Sequence, residues 1–257
     1  MITKLSFSIL LIPIISGLIT FPCALSQRQS DGRMEAPAGL ESLMNRAAEG
    51  DSGAIPDLEK MYDLLPEDDN YRGNIASLLV TRKVTNPRYW NHLVQDATSA
   101  IDSDMPDPTA LDGTGKQVPR KLSEKFREWC KRRHLDANRA AERAIYGLPG
   151  QIWPLAASGD PRGFPLLMKG LQSQNSYVAS ISALGLAHIG DPRAILPIQQ
   201  RCEKAPEFAA KTIGLGLLYF EGAKAEQAAR RCISDEEFIT TIREDAKKRG
   251  RAAFFPW

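Results

Sequence analysis

Residues 159–193 read GDPRGFPLLMKGLQSQNSYVASISALGLAHIGDPR, and the fold is decided here. The stretch opens with Gly159-Asp160-Pro161-Arg162 and closes on the same tetrapeptide, Gly190-Asp191-Pro192-Arg193, 31 residues later. The register continues past the turn. Phe164 matches Ile195, Leu167 matches Ile198 and Tyr177 matches Phe208, while Leu184-Gly185-Leu186 matches Leu215-Gly216-Leu217. A period of this size marks stacked supersecondary units. Three residues of the tetrapeptide have mechanical roles. Glycine takes the left-handed conformation that ends a helix. Aspartate caps the next helix by accepting from its free amides. Proline stands at the first helical position, where its missing N–H had no partner. The spacing predicts a first helix over 163–172, a polar turn at Gln174-Asn175-Ser176 and a second helix over 177–189, rich in Ala, Ser and Gly. Neither helix buries its apolar stripe alone, so stacking the pairs makes the core.

The second helix and its turn resemble a HEAT-like repeat of the short type found in phycobiliprotein (bilin) lyases, whose pattern is V-R-x-x-A-A-x-A-L-G-x-I-G-D-P-R-A. Val178, Ser182, Ala183, Gly185, Leu186, Ala187, Ile189, Gly190, Asp191, Pro192, Arg193 and Ala194 occupy its positions. Ala179 stands where the family often has arginine, so no Asp–Arg ladder is expected through that residue. The resemblance covers residues 158–222 and implies an α-solenoid of stacked antiparallel helix pairs.

Weaker copies extend outward. Gly50-Asp51 followed by Ala54-Ile55-Pro56 repeats the logic of the turn, and Asn86-Pro87-Arg88 keeps its cap, proline and arginine. Residues 39–101 therefore read as degenerate N-terminal repeats, with helices near 40–49, 54–64, 70–83 and 88–101. Residues 102–120, full of Asp, Pro and Gly, read as a loop. Residues 121–257 return to helical repeats, including the two clear Gly-Asp-Pro-Arg repeats and a C-terminal cap formed by the apolar end 252–257, with helices near 121–133, 137–146 and 151–157, and Gly147-Leu148-Pro149-Gly150 breaking the last two apart. A final pair spans 223–233 and 235–249, opened by a Ser234/Glu237 capping box. No segment shows strand alternation, and the expectation is an all-α chain.

The 257 residues are 43% hydrophobic and 25% charged, with a net charge of +2. These values suit a folded chain, and the near balance gives no reason to expect nucleic acid, which demands a concentrated basic face. Residues 1–26 read as a signal peptide: Lys4, an apolar run, then Ala24 and Ser26 at −3 and −1 of a cut before Gln27. The other reading is an uncleaved anchor. Residues 27–38 form a polar, flexible lead. Export is the expectation, to a periplasmic or extracellular location. Cleavage leaves Cys130, Cys202 and Cys232. These are small buried residues, or else Cys202 and Cys232 join neighbouring repeats. Helices stacked ~10 Å apart sit uneasily with the ~7 Å Cα limit of a disulfide.

Catalytic chemistry is not legible. Asp112-Gly113-Thr114-Gly115-Lys116 has Ala110 and Gln117 where a phosphate loop needs Gly and Ser or Thr. Cys130 and His134 share a helix face by spacing but lack further zinc ligands, and Asp102, Asp104, Asp107 and Asp112 do not follow a calcium-loop spacing. No catalytic, cofactor-binding or metal-binding residue is expected. The reading is an exported, non-enzymatic scaffold that binds a protein or peptide partner on a concave face. Its ridge would carry Tyr177, Ser180, His188, Lys211 and Tyr219 from the second helices, although Tyr177 and Phe208 also read as core. Two alternatives stand beside it. One is a bilin-lyase-like enzyme, by fold analogy alone. The other is a membrane-surface role through Lys247, Lys248, Arg249 and Arg251 with Phe254, Phe255 and Trp257.

Overall fold

A computed structural model describes residues 37–67, 69–113 and 117–250. The expected signal peptide, most of the expected lead and the apolar C-terminal segment lie outside the described residues. The chain divides into two units, residues 1–41 and 42–257. Of the first, residues 37–41 are described, a turn through Gly39 (φ +84°) into the start of a helix. All other described residues belong to the second unit.

The described chain is mostly helical. In order come α1 (Leu40–Glu49), α2 (Ile55–Leu64), α3 (Asn70–Thr81), α4 (Pro87–Ile101), strands β1 (Thr109–Leu111) and β2 (Gln117–Leu122), then α5 (Glu124–Arg132) and α6 (Ala137–Glu142). A π turn, Arg143–Gly147, leads into α7 (Leu148–Ser158). Beyond it lie α8 (Phe164–Gly170), α9 (Ser176–Ile189), α10 (Ile195–Glu203), α11 (Glu207–Leu215), a 3-10 turn Gly216–Tyr219, α12 (Ala223–Cys232) and α13 (Glu236–Arg249).

The repeated tetrapeptide acts as its chemistry requires. Gly159 (φ +58°) and Gly190 (φ +76°) end α7 and α9 in the left-handed region. Asp160 then accepts from the Arg162 amide at 3.0 Å, and Asp191 from that of Arg193 at 2.9 Å. The degenerate copies cap alike: Asp51 accepts from Gly53 N and Asn86 from Arg88 N.

Several of the contacts between pairs join like helices. First helices touch first helices, α4 on α8 and α10 on α12, while the second helices run α3 on α7, α7 on α9 and α9 on α11. α9 is the centre: Val178, Ala179, Ile181, Ala183 and Leu186 are fully buried. Two register-matched glycines set the spacing. A Cβ on Gly185 would lie 2.7 Å from that of Ala156 on α7, and one on Gly216 would lie 2.9 Å from the Ala183 carbonyl on α9. Each fully buried Leu or Ile in these layers contributes roughly 2 kcal/mol.

Three expectations are corrected, and one open alternative is decided. Residues 102–120 are not simply a loop: β1 and β2 pair antiparallel, Thr109 opposite Leu122 and Leu111 opposite Gln117, with an irregularity between. β1 is too short for alternation to show, and Pro119 disguises β2, though proline is tolerated in a two-stranded ribbon with free edges. Gly147-Leu148-Pro149-Gly150 does not break the chain. Pro149 falls in the first turn of α7, and the wide π turn carries α6 into it. The cap of α13 is Asp235, accepting from Phe238 N at 2.9 Å, one residue beyond the Ser234 of the expected box. Cys202 and Cys232 form a disulfide. Their Cα atoms are 5.8 Å apart, because α12 carries alanines where it meets its neighbours and packs closer than helices with larger side chains.

α4 and α7 pack together as a pair although residues 102–147 lie between them. The hairpin, α5, α6 and the π turn are thus an insertion within one pair. It is fastened to the start of α9. Asn175 caps α9 and donates through Nδ2 to the Ala144 carbonyl at 3.0 Å. Asp107 accepts from the amides of Thr109 and Ser176.

Candidate binding groove between α4 and α8

Each arginine of the turn motif is held twice. Arg162 grips Asp160 through both Nε (3.0 Å) and Nη2 (2.9 Å), and its guanidinium lies 4.2 Å above the Trp90 ring. Arg193 grips Asp191 in the same way and lies 4.8 Å above the Phe164 ring. Trp90 and Phe164 are equivalent, each four residues after the cap of its own pair, Asn86 or Asp160. An arginine from one turn therefore covers the aromatic of the preceding pair, a ladder that the repeat spacing alone does not reveal. Its sequence signal is an aromatic four residues after the cap, paired with the arginine of the next turn.

The hydrogen bond from Arg162 holds the Asp160 carboxyl below the usual carboxylate range, and that from Arg193 does the same for Asp191. Beside this ladder lies an open groove of about 440 Å³. Trp90, Val94 and Thr98 of α4 form one wall, and Pro165, Leu166 and Lys169 of α8 the other. A second depression of about 360 Å³ shares Trp90 and Arg162 and continues past Lys83 to Asn86. Lys169 is paired with Asp102 and Arg162 with Asp160, so the charges at the rim are engaged. The groove offers an apolar floor with a polar rim, and among the residues that line it no nucleophile and base are brought together.

The five ridge residues do not form one surface. Ser180 is buried, its hydroxyl donating back to the Ser176 carbonyl at 2.8 Å, and Tyr219 is 4% exposed. Ser180 belongs to the core because α9 is enclosed, and Tyr219 because its 3-10 turn lies under α12 and α13. Tyr177 is half-buried: its hydroxyl lies 3.2 Å from Thr109 Oγ1 on the inserted hairpin, and its ring lies 6.1 Å from that of Phe208. Burial raises its phenol above the ordinary value. His188 places Nδ1 3.2 Å from the Ala156 carbonyl and lies over Gly159, where a Cβ would come within 2.9 Å of the ring. Lys211 reaches Asp235 at 3.3 Å and sits 4.0 Å above the Phe238 ring. Tyr177 and Phe208 pair across α9 and α11 as their matched register implied, and the five ridge side chains are turned to packing.

No group of three metal-ligating side chains occurs among the described residues. α5 ends at Arg132, and His134 comes after it in the left-handed region (φ +54°), so Cys130 and His134 do not share a helix face. Cys130 is buried, which raises its thiol. The loop aspartates serve packing: Asp102 meets Lys169 and Asp104 meets Arg133. Another polar cluster joins α2 to α4. The Tyr62 hydroxyl lies 2.9 Å from His92 Nδ1, whose Nε2 is 3.1 Å from Asp96, while Arg72 and Arg88 lie over the buried Tyr62 ring.

Comparison with protein-family models, curated proteins and solved structures gives no match.

Proposed function

We propose that the chain is an exported HEAT-like α-solenoid and acts as a non-enzymatic scaffold for a protein or peptide partner. The observation that carries this reading is the turn-locked stacking of like helices at a sequence period of 31. Such stacks leave extended grooves between successive pairs. With α9 enclosed, the partner's place moves to the first helices, in the groove of Trp90, Val94 and Leu166. The disulfide supports an oxidising compartment and so supports export. No helix among the described residues is long and apolar enough to cross a membrane.

Two measurements test the reading. Mass analysis of the mature protein is expected to find a chain beginning at Gln27 in the exported fraction. A photo-crosslinker at position 166 is expected to capture one discrete protein, lost with Trp90→Ala and not captured from position 248. A cytosolic, uncut chain overturns export. No discrete product at physiological salt overturns the scaffold.

A further inference from the structure

The last pair is held unlike the others. α12 buries only Ala225, Ala228 and Ala229, a small apolar payload for a ten-residue helix. The turn into it passes through Gly222 (φ +93°) and has no Asp-Pro-Arg. The ion pairs that tie it back lie at the surface, Arg231 to Glu203 at 3.9 Å and Lys211 to Asp235 at 3.3 Å, and exposed pairs of this kind contribute little. Beneath the pair lies the 3-10 turn that both α12 and α13 contact, and there Leu217, Leu218, Tyr219 and Phe220 are all buried. Among the described residues the one covalent tie is Cys202–Cys232, from α10 to the last residue of α12.

We propose that this disulfide is a redox latch on α12 and α13, opened by a dithiol reductant. Cys202 is 1% exposed and Cys232 half-buried, so the accessible sulfur is that of Cys232. A reductant thiolate attacks Cys232 Sγ. The S–S bond breaks, and Cys202 leaves as a thiolate that takes up a proton. The reductant's second thiol, as its thiolate, then attacks the reductant sulfur of the mixed disulfide. Cys232 is freed as a thiolate, is protonated, and the reductant departs as a cyclic disulfide. Two electrons pass from the reductant to the cystine. Without the tie to α10, three alanines of α12 and the buried Ile233, Ile239 and Ile242 are left to hold the pair, and it opens to uncover residues 217–220. The opening is local because the α4, α7 and α9 core makes no use of the bond. The inference rests on contacts within residues 195–250 and is independent of export.

The test is native-state amide exchange on the full chain, oxidised and then with dithiothreitol. Reduction is expected to speed exchange across residues 223–249 on the order of a hundredfold and to leave residues 148–158 and 176–189 unchanged. Binding of an apolar dye should rise with it. Cys202→Ser and Cys232→Ser should match the reduced protein without reductant; should either fail to fold, reduction of the unaltered chain decides. Unchanged protection of 223–249 on reduction overturns the latch. So does an equal loss along the whole chain, or alkylation of both cysteines before any reductant is added.

Discussion

Two joints between consecutive pairs can be set side by side. Where α8 meets α4, the turn is Gly-Asp-Pro-Arg, and its arginine reaches back over Trp90. Where α12 meets α10, the turn motif is gone and a disulfide takes its place. The first joint is directional and repeated, since it joins the arginine of one turn to the aromatic four places after the cap of the preceding pair. The second is covalent and local, and it holds a helix that has few large apolar side chains to bury. A cross-link offsets burial that a helix faced with alanine does not supply.

The comparison breaks first at the covalent joint. Reduction, or Cys232→Ser, should lower the stability of the C-terminal pair by roughly 3 kcal/mol for a closed loop of this length, read from urea unfolding followed at α12–α13. A change under ~0.5 kcal/mol would make the bond incidental. Next comes the spacing that both joints presuppose. Gly185→Ala puts a methyl group against Ala156 and Leu167 and should cost about 2 kcal/mol, seen as a lower urea midpoint with an unchanged slope.

The turn itself ranks third. Asp160→Ala removes a cap and should cost about 1 kcal/mol. Its pH dependence has a definite sign. The folded carboxyl titrates below its ordinary value of 3.8, so its contribution is present above that value and is lost as the pH falls through the lower, folded one. Acid unfolding of Asp160→Asn should therefore show a shallower loss of stability in that range than the unaltered chain. The smallest effect sharpens the ladder. A double-mutant cycle of Arg193→Ala with Phe164→Leu should give a coupling of ~0.5 kcal/mol at this exposed position. Zero coupling would leave Arg193 as a partner of Asp191 alone.

Much of the helical frame was legible because the turn residues carry their own backbone instructions: Gly159, Asp160 and Pro161 are each nearly forced in their roles. Helix ends were read to within a few residues wherever Asp, Asn or Pro stood at the boundary, as at Asn86-Pro87. The hairpin escaped because β1 offers only three residues to any pattern. Generic helix spacing does not decide the disulfide, because α12 is faced with alanine. The ridge failed for a different reason. Period analysis places Ser180 and Tyr219 on second helices but cannot say that neighbouring second helices close over them, which depends on Gly185 and Gly216 drawing those helices together. The groove was illegible because Trp90 and Arg162 are distant in sequence, with the whole insertion between them.

That insertion has a kinetic consequence. α8 finds α9, and α10 finds α11, across turns of a few residues, whereas α4 must close over residues 102–147 before it meets α7. Loop-closure entropy is lost before such a contact returns anything, so pairing should start among the C-terminal repeats and reach α4 late. Pulse-labelled refolding would show it: amides of α9 protected in the first phase and those of α4 in the last, an order that shortening the insertion should compress.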